Sequence, residues 1–113
     1  MKTFRIPLQV VFYREEGRWV AHCLQFDLLG DGDTPREALK SLNGAIETQV
    51  LASLEFGNAE NLFSPAEGRF FRMFAAGKNI AVGEMHFKFD SVVIESAETR
   101  EYEDDDAREP AFA

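Results

Sequence analysis

Residues 19–47, WVAHCLQFDLLGDGDTPREALKSLNGAIE, decide the fold. An apolar strand runs from Trp19 to Leu24, and a tight bend leads to a short strand from Phe26 to Asp31. The turn Gly30-Asp31-Gly32-Asp33 then delivers the chain to a helix with a strong start signal. Thr34 is placed to cap free N–H groups, Pro35 suits the first helical position, and Glu37 is spaced to reach back in a capping box. The helix is expected from Pro35 to about Leu54. Leu39, Leu42, Ile46 and Val50, with Ala38, Ala45 and Leu54, form an apolar stripe at three- and four-residue spacing, while Arg36, Lys40, Glu47 and Gln49 fall on the wet side. Gly44 interrupts this helix at a cost of about 1 kcal/mol relative to alanine, and close approach to the sheet is the expected reason. Gly57 is the expected stop.

Working outward, Phe4, Ile6, Leu8, Val10 and Phe12 alternate with their neighbours, the period of a strand with one buried face. Pro7 cannot donate a ladder hydrogen bond and marks an edge position or a bulge. The polar turn Arg14 to Arg18, with Gly17 free to take positive φ, joins this strand to the next as a hairpin. Beyond the helix, Ser64-Pro65-Ala66-Glu67 repeats the start signal, and a second helix is expected over 65–76. Met85, Phe87 and Phe89 alternate with polar residues and lead into Val92-Val93-Ile94. That is the pattern of a fourth strand with a register change near Asp90 or Ser91.

Strands and helices therefore segregate as β-β-β-α-α-β. The expected class is α+β: an antiparallel sheet of about four strands with helices packed on one face. Residues 1–94 form the expected domain, and 95–113 an acidic, disordered tail. The second helix carries a dense apolar face, Phe70, Phe71, Met73 and Phe74. That cluster and the uncovered sheet face call for cover, so it is the expected oligomer interface, in a homodimer or larger assembly.

Composition bounds the function classes. A chain of 113 residues makes a single domain, and its 45% apolar content supplies a core rich in the eleven Phe. No apolar run approaches the roughly 20 residues of a membrane span, and the N-terminus alternates like a strand rather than a signal peptide. The single cysteine, Cys23, excludes an intramolecular disulfide and fits a reducing, cytoplasmic setting. The net charge is −8, and residues 95–113 hold eight acids against Arg100 and Arg108. The chain lacks the basic patch that direct nucleic-acid binding requires. The tail reads as a solubilising end or as a contact for a basic partner.

Catalytic and cofactor chemistry find little support. His22 and Cys23 are adjacent, so on a strand they point to opposite faces and neither chelate one metal nor pair as nucleophile and base. No cofactor, metal or catalytic residue is expected. Gly30-Asp31-Gly32-Asp33 places two carboxylates where a phosphate would sit, which argues against a phosphate loop. Asp27, Asp31 and Asp33 share a face if the strand is unbroken. They read as turn and helix-start residues, as an acidic patch for a basic partner, or as a divalent-cation site.

The pattern of Trp19-Val20-Ala21 and Cys23, Asp27-Leu28, the Gly32-Asp33-Thr34 turn, and Glu37-Ala38-Leu39 with Leu42, Ala45 and Ile46 resembles the HicB-like antitoxin family. The likeness covers residues 6 to about 50. Leu24 stands where many members carry proline, and an acidic stretch follows Ile94 where members usually append a DNA-binding domain. The resemblance implies a β-β-β-α-β core, oligomerisation, and a non-enzymatic role in binding a small basic protein, possibly an RNase toxin. On that reading Asp27, Asp31 and Asp33 with Glu103, Asp104, Asp105 and Asp106 would meet the partner. The alternative is an orphan oligomeric structural or small-ligand-binding domain.

Overall fold

The computed structural model describes residues 4–57, 62–85, 87–89, 92–94 and 97–103. In chain order the elements are β1 (Phe4–Arg5), β2 (Leu8–Glu15), β3 (Arg18–Cys23), β4 (Leu28–Gly32), α1 (Pro35–Glu55), α2 (Gly68–Ala76), β5 (Lys78–Asn79), β6 (Phe87–Phe89), β7 (Val92–Ile94) and β8 (Ala97–Glu101). The class is α+β. A five-stranded sheet runs β4-β3-β2-β8-β5, and a three-stranded sheet runs β1-β7-β6.

The hairpin of β2 and β3 and the antiparallel pairing of β3 with β4 follow the sequence pattern. The expected first strand is split. Pro7, with no N–H to donate, separates β1, which pairs parallel with β7, from β2, which lies in the middle of the larger sheet. The expected fourth strand is likewise split into β6 and β7, which pair antiparallel with each other. The apolar phase slip in the sequence falls between them.

The larger sheet is mixed rather than antiparallel, since β8 pairs parallel with β2 from Leu8↔Ala97 to Phe12↔Glu101. Residues 97–101, expected in the acidic tail, therefore lie in the sheet interior, and the expected boundary at 94 does not hold. Hydrogen bonds fasten this polar strand. The Thr99 hydroxyl donates to the Ile80 carbonyl, and the Ile80 N–H donates to Thr99 O at 3.1 Å.

The helices cover opposite faces of the sheet rather than one. Register places Val10 opposite Cys23 and Phe12 opposite Ala21, and these residues pack with Ala38, Leu39, Leu42, Ile46 and Val50 of α1. Val11, Tyr13 and Val20 project from the other face and form a second core with Leu24, Ala66 and the α2 residues Met73 and Phe74. Side chains alternate across a strand, so a doubly covered sheet reads as the near-continuous apolar run Val10-Val11-Phe12-Tyr13. The cluster expected at an oligomer interface is thus committed within the chain. Met73 and Phe74 are buried, and Phe70 and Phe71 pack against the same core.

Helix α1 begins as its sequence indicates. The Glu37 N–H donates to Thr34 Oγ1 at 3.1 Å, while Glu37 Oε1 accepts from the Asp33 N–H at 3.0 Å, one residue before the cap. Helix α2 starts at Gly68 rather than 65, and Ser64 does not cap it. The N–H groups of Ser64 and Ala66 instead donate to the carbonyls of Gln25 and Leu24.

The glycines divide sharply. A Cβ on Gly30 would lie 2.1 Å from Leu42 N and 2.5 Å from Ala38 O, and one on Gly32 would lie 2.5 Å from Glu37 Cβ. Close approach of helix to sheet is therefore built at Gly30 and Gly32. At Gly44, where the sequence suggested it, an added Cβ meets nothing within 4 Å.

Candidate functional site

The acidic residues of the β4 region separate into two constellations. Antiparallel pairing sets Trp19 opposite Gly32, which brings the preceding Arg18 alongside the turn into α1. Its guanidinium donates from Nε to Asp31 Oδ2 at 3.1 Å and from Nη1 to Asp33 Oδ1 at 2.9 Å. All three side chains are more than half exposed, so each pair contributes about 0.2–1 kcal/mol. Two carboxylates share one cation, and the rim keeps a net negative charge. Arg18 is the residue that sequence reasoning missed here. Extending the hairpin register by one residue beyond Trp19 was the available signal.

Asp27 does not join that pair. It caps the turn before β4 with φ of 53°, a left-handed conformation that Asp adopts more readily than most residues. Its Oδ1 lies 2.7 Å from His22 Nε2, and His22 Nδ1 lies 3.1 Å from the Tyr13 hydroxyl. An ionised carboxylate only accepts, so Nε2 carries the imidazole proton and Nδ1 accepts from the Tyr13 O–H. The Phe70 ring closes over His22 at a centroid distance of 4.4 Å, and the Arg69 guanidinium lies 4.5 Å over Phe70.

This relay is sealed from substrate. His22 is 1% exposed and Tyr13 4%, so only Asp27 reaches solvent. Burial lowers the imidazole below its ordinary 6.5 despite the Asp27 hydrogen bond, and burial raises the phenol. Cys23, on the opposite face, is fully buried, and burial pushes its thiol up to about 11. A thiol in that state is not a thiolate nucleophile at neutral pH. The relay satisfies buried polar groups and pins the turn that launches β4.

Of the other expected contact residues, Glu103 lies past the end of β8, on the far side of the sheet from β4, 3.9 Å from Lys78 Nζ. Asp104, Asp105 and Asp106 lie outside the described residues. Among the described residues no group of three or more His, Cys, Asp or Glu is placed to hold a metal ion. No helix among them is long and apolar enough to cross a membrane.

An open cleft of about 300 Å³ is lined by Pro7, Leu8, Gln9, Gln25 and Glu98. Gln25 is bonded twice to Gln9 there: its Nε2 donates to Gln9 Oε1 at 3.0 Å, and its Oε1 accepts from the Gln9 backbone N–H at 2.6 Å. The Glu98 carboxylate, 3.7 Å from Arg100 Nη2, is the charged group of this lining.

Among the described residues, β4 and its rim combine an exposed apolar side chain with the exposed Arg18–Asp31–Asp33 group. Leu28, Gly30 and Gly32 face α1, whereas Leu29, which is 49% exposed, and Asp31 face away from it. Comparison with protein-family models, with curated proteins and with solved structures returned no match.

Proposed function

We propose that this chain is a non-enzymatic, HicB-like antitoxin-type domain that binds a small basic protein, an RNase toxin being the leading candidate, in the cytoplasm. The observation that carries this reading is the exposed Arg18–Asp31–Asp33 rim, where two carboxylates share one cation in a chain of net charge −8. A surface of one sign steers an oppositely charged partner into contact and sets its orientation. The buried state of His22, Tyr13 and Cys23 supports a binding role over nucleophilic or acid–base chemistry at those residues. Cys23 as the sole cysteine supports a reducing compartment.

The test is a pull-down of the tagged chain from its source lysate, eluted at low and then high salt and read by mass spectrometry. A small basic protein should elute with salt in stoichiometric amount, and its ribonuclease activity should be suppressed when this chain is added back. Recovery of the bait alone, as a stable oligomer, would refute the reading and favour an orphan structural domain.

A further inference from the structure

We infer that the outer edge of β4, unpaired among the described residues, is a strand-addition site, taking an extended basic segment of the partner as a further strand of the larger sheet. The inference rests on the proposed basic partner and names the surface that partner uses.

The sheet edges are not treated alike. Among the described residues, β1, β4, β5 and β6 end the two sheets. An exposed edge offers unpaired N–H and C=O groups, and proteins blunt such edges with short strands, lysines, prolines and bulges. Three of the four edges are blunted in this way. β1 has two residues, one of them Arg5, and ends just before Pro7. β5 has two residues, one of them Lys78, and β6 has three with Lys88 at its centre. β4 is longer, and its one charged residue is the acidic Asp31. Its five residues, Leu28-Leu29-Gly30-Asp31-Gly32, contain no proline or basic residue, and its register with β3 runs unbroken from Cys23↔Leu28 to Trp19↔Gly32.

The strand is also seated closely on α1. At Gly30 an added Cβ would meet the α1 backbone, and at Gly32 it would meet Glu37 Cβ, so this face of β4 is closed to a side chain and an added strand would approach from the outer edge. The relay through Asp27 fixes its first residue. Five residues present about 17 Å of edge, with main-chain groups directed outward at alternate positions.

Charge and hydropathy select the occupant. On the face away from α1, an added strand would find exposed Leu29 and then Asp31, with Asp33 just beyond β4. An apolar side chain opposite Leu29 and a Lys or Arg opposite Asp31 complement that row. A second copy paired antiparallel about Asp31 would instead set its own Asp31 opposite the first, with one Arg18 on each side to offset them. Like charges facing across strands are destabilising, so the rim disfavours self-pairing in that register.

The test reads backbone amides in the intact chain by hydrogen exchange, with a short synthetic peptide of alternating lysine and valine as the probe at low salt. The outward amides of β4 should exchange at least about tenfold more slowly with the peptide bound. An alternating glutamate and valine peptide should leave them unchanged. Leu29→Lys and Asp31→Lys should abolish the protection, and the milder Asp31→Asn should weaken it while thermal unfolding confirms an intact fold. Protection appearing at β5 or β6, or nowhere, would overturn the inference. So would β4 amides already protected in the free protein in a concentration-dependent way, because that would identify the occupant as a second copy. A basic protein captured from lysate without β4 protection would leave the proposed function standing and remove this site. β4 protection by the peptide with no basic protein captured would do the reverse.

Discussion

Substituting Gly30 by alanine tests the packing of α1 on β4 at its closest point. The added methyl would sit 2.1 Å from Leu42 N, 2.5 Å from Ala38 O and 2.7 Å from Leu42 Cα. Every one of these atoms is helix backbone, so no rotamer change relieves the clash. To reach an ordinary contact of about 3.5 Å, α1 must retreat by roughly 1.4 Å. That displacement pulls on the buried stripe of Ala38, Leu39, Leu42, Ile46 and Val50 together, and a gap of that size forfeits about half of the dispersion energy at each contact it opens. Overpacking costs about 1–3 kcal/mol where side chains can adjust. Here the cost belongs at or above the top of that range, offset by at most about 1 kcal/mol from the lower entropy of the unfolded chain. A net loss of about 2 kcal/mol or more lowers the melting temperature by roughly 10 °C. Urea titration followed by far-ultraviolet circular dichroism would measure it. A Gly30→Ala variant within about 0.5 kcal/mol of the parent protein would refute the claim that backbone contact between β4 and α1 organises this region.

Gly44→Ala should do the opposite and stabilise by about 1 kcal/mol, since nothing lies within 4 Å of the new methyl; a destabilised variant in the same titration would reveal a constraint on Gly44 that these contacts do not contain. Asp27→Ala should cost about 2 kcal/mol through the lost charged hydrogen bond to His22, and Asp27→Gly less, because glycine relieves the left-handed φ; equal losses would show that backbone conformation plays no part. Burial holds the folded imidazole of His22 below the 6.5 of the unfolded chain, so the unfolded state takes up the proton first and stability falls as pH drops from about 6.5 through the lowered folded value; stability flat across that window in the parent, or unaltered in slope in His22→Gln, would contradict it. Met73→Ala should cost about 2–5 kcal/mol without changing the molecular mass in solution, whereas a change of oligomeric state with little loss of stability would return this cluster to an interface.

What was legible in the sequence was whatever a local mechanism wrote. The start of α1 could be read because Thr34, Pro35 and Glu37 each act within one turn. The β2–β3 hairpin could be read because its alternation flanks a polar turn with Gly17, whose φ is 81°. β8 was hidden because Ala97-Glu98-Thr99-Arg100-Glu101 has no apolar period. Its place is fixed by main-chain pairing with β2 and by contacts such as Arg100 Nη1 donating to Phe74 O at 3.1 Å, which depend on residues far away in sequence. The false start at Ser64 shows the limit of a cap motif: carbonyls of Gln25 and Leu24 compete for the same backbone N–H groups and win. Within the site, the acids Asp27, Asp31 and Asp33 were visible as a group. Their division between His22 and Arg18 was not, because it depends on strand register and on the φ of Asp27.

The central claim is that this chain captures a basic protein partner through an acid-rimmed surface. Its most direct test is the association rate of the purified partner, measured by stopped flow across ionic strength. The rate should fall steeply with salt while the dissociation rate changes little, and Asp31→Asn with Asp33→Asn should flatten the dependence. An association rate indifferent to salt, or unchanged by the double substitution, would contradict the account.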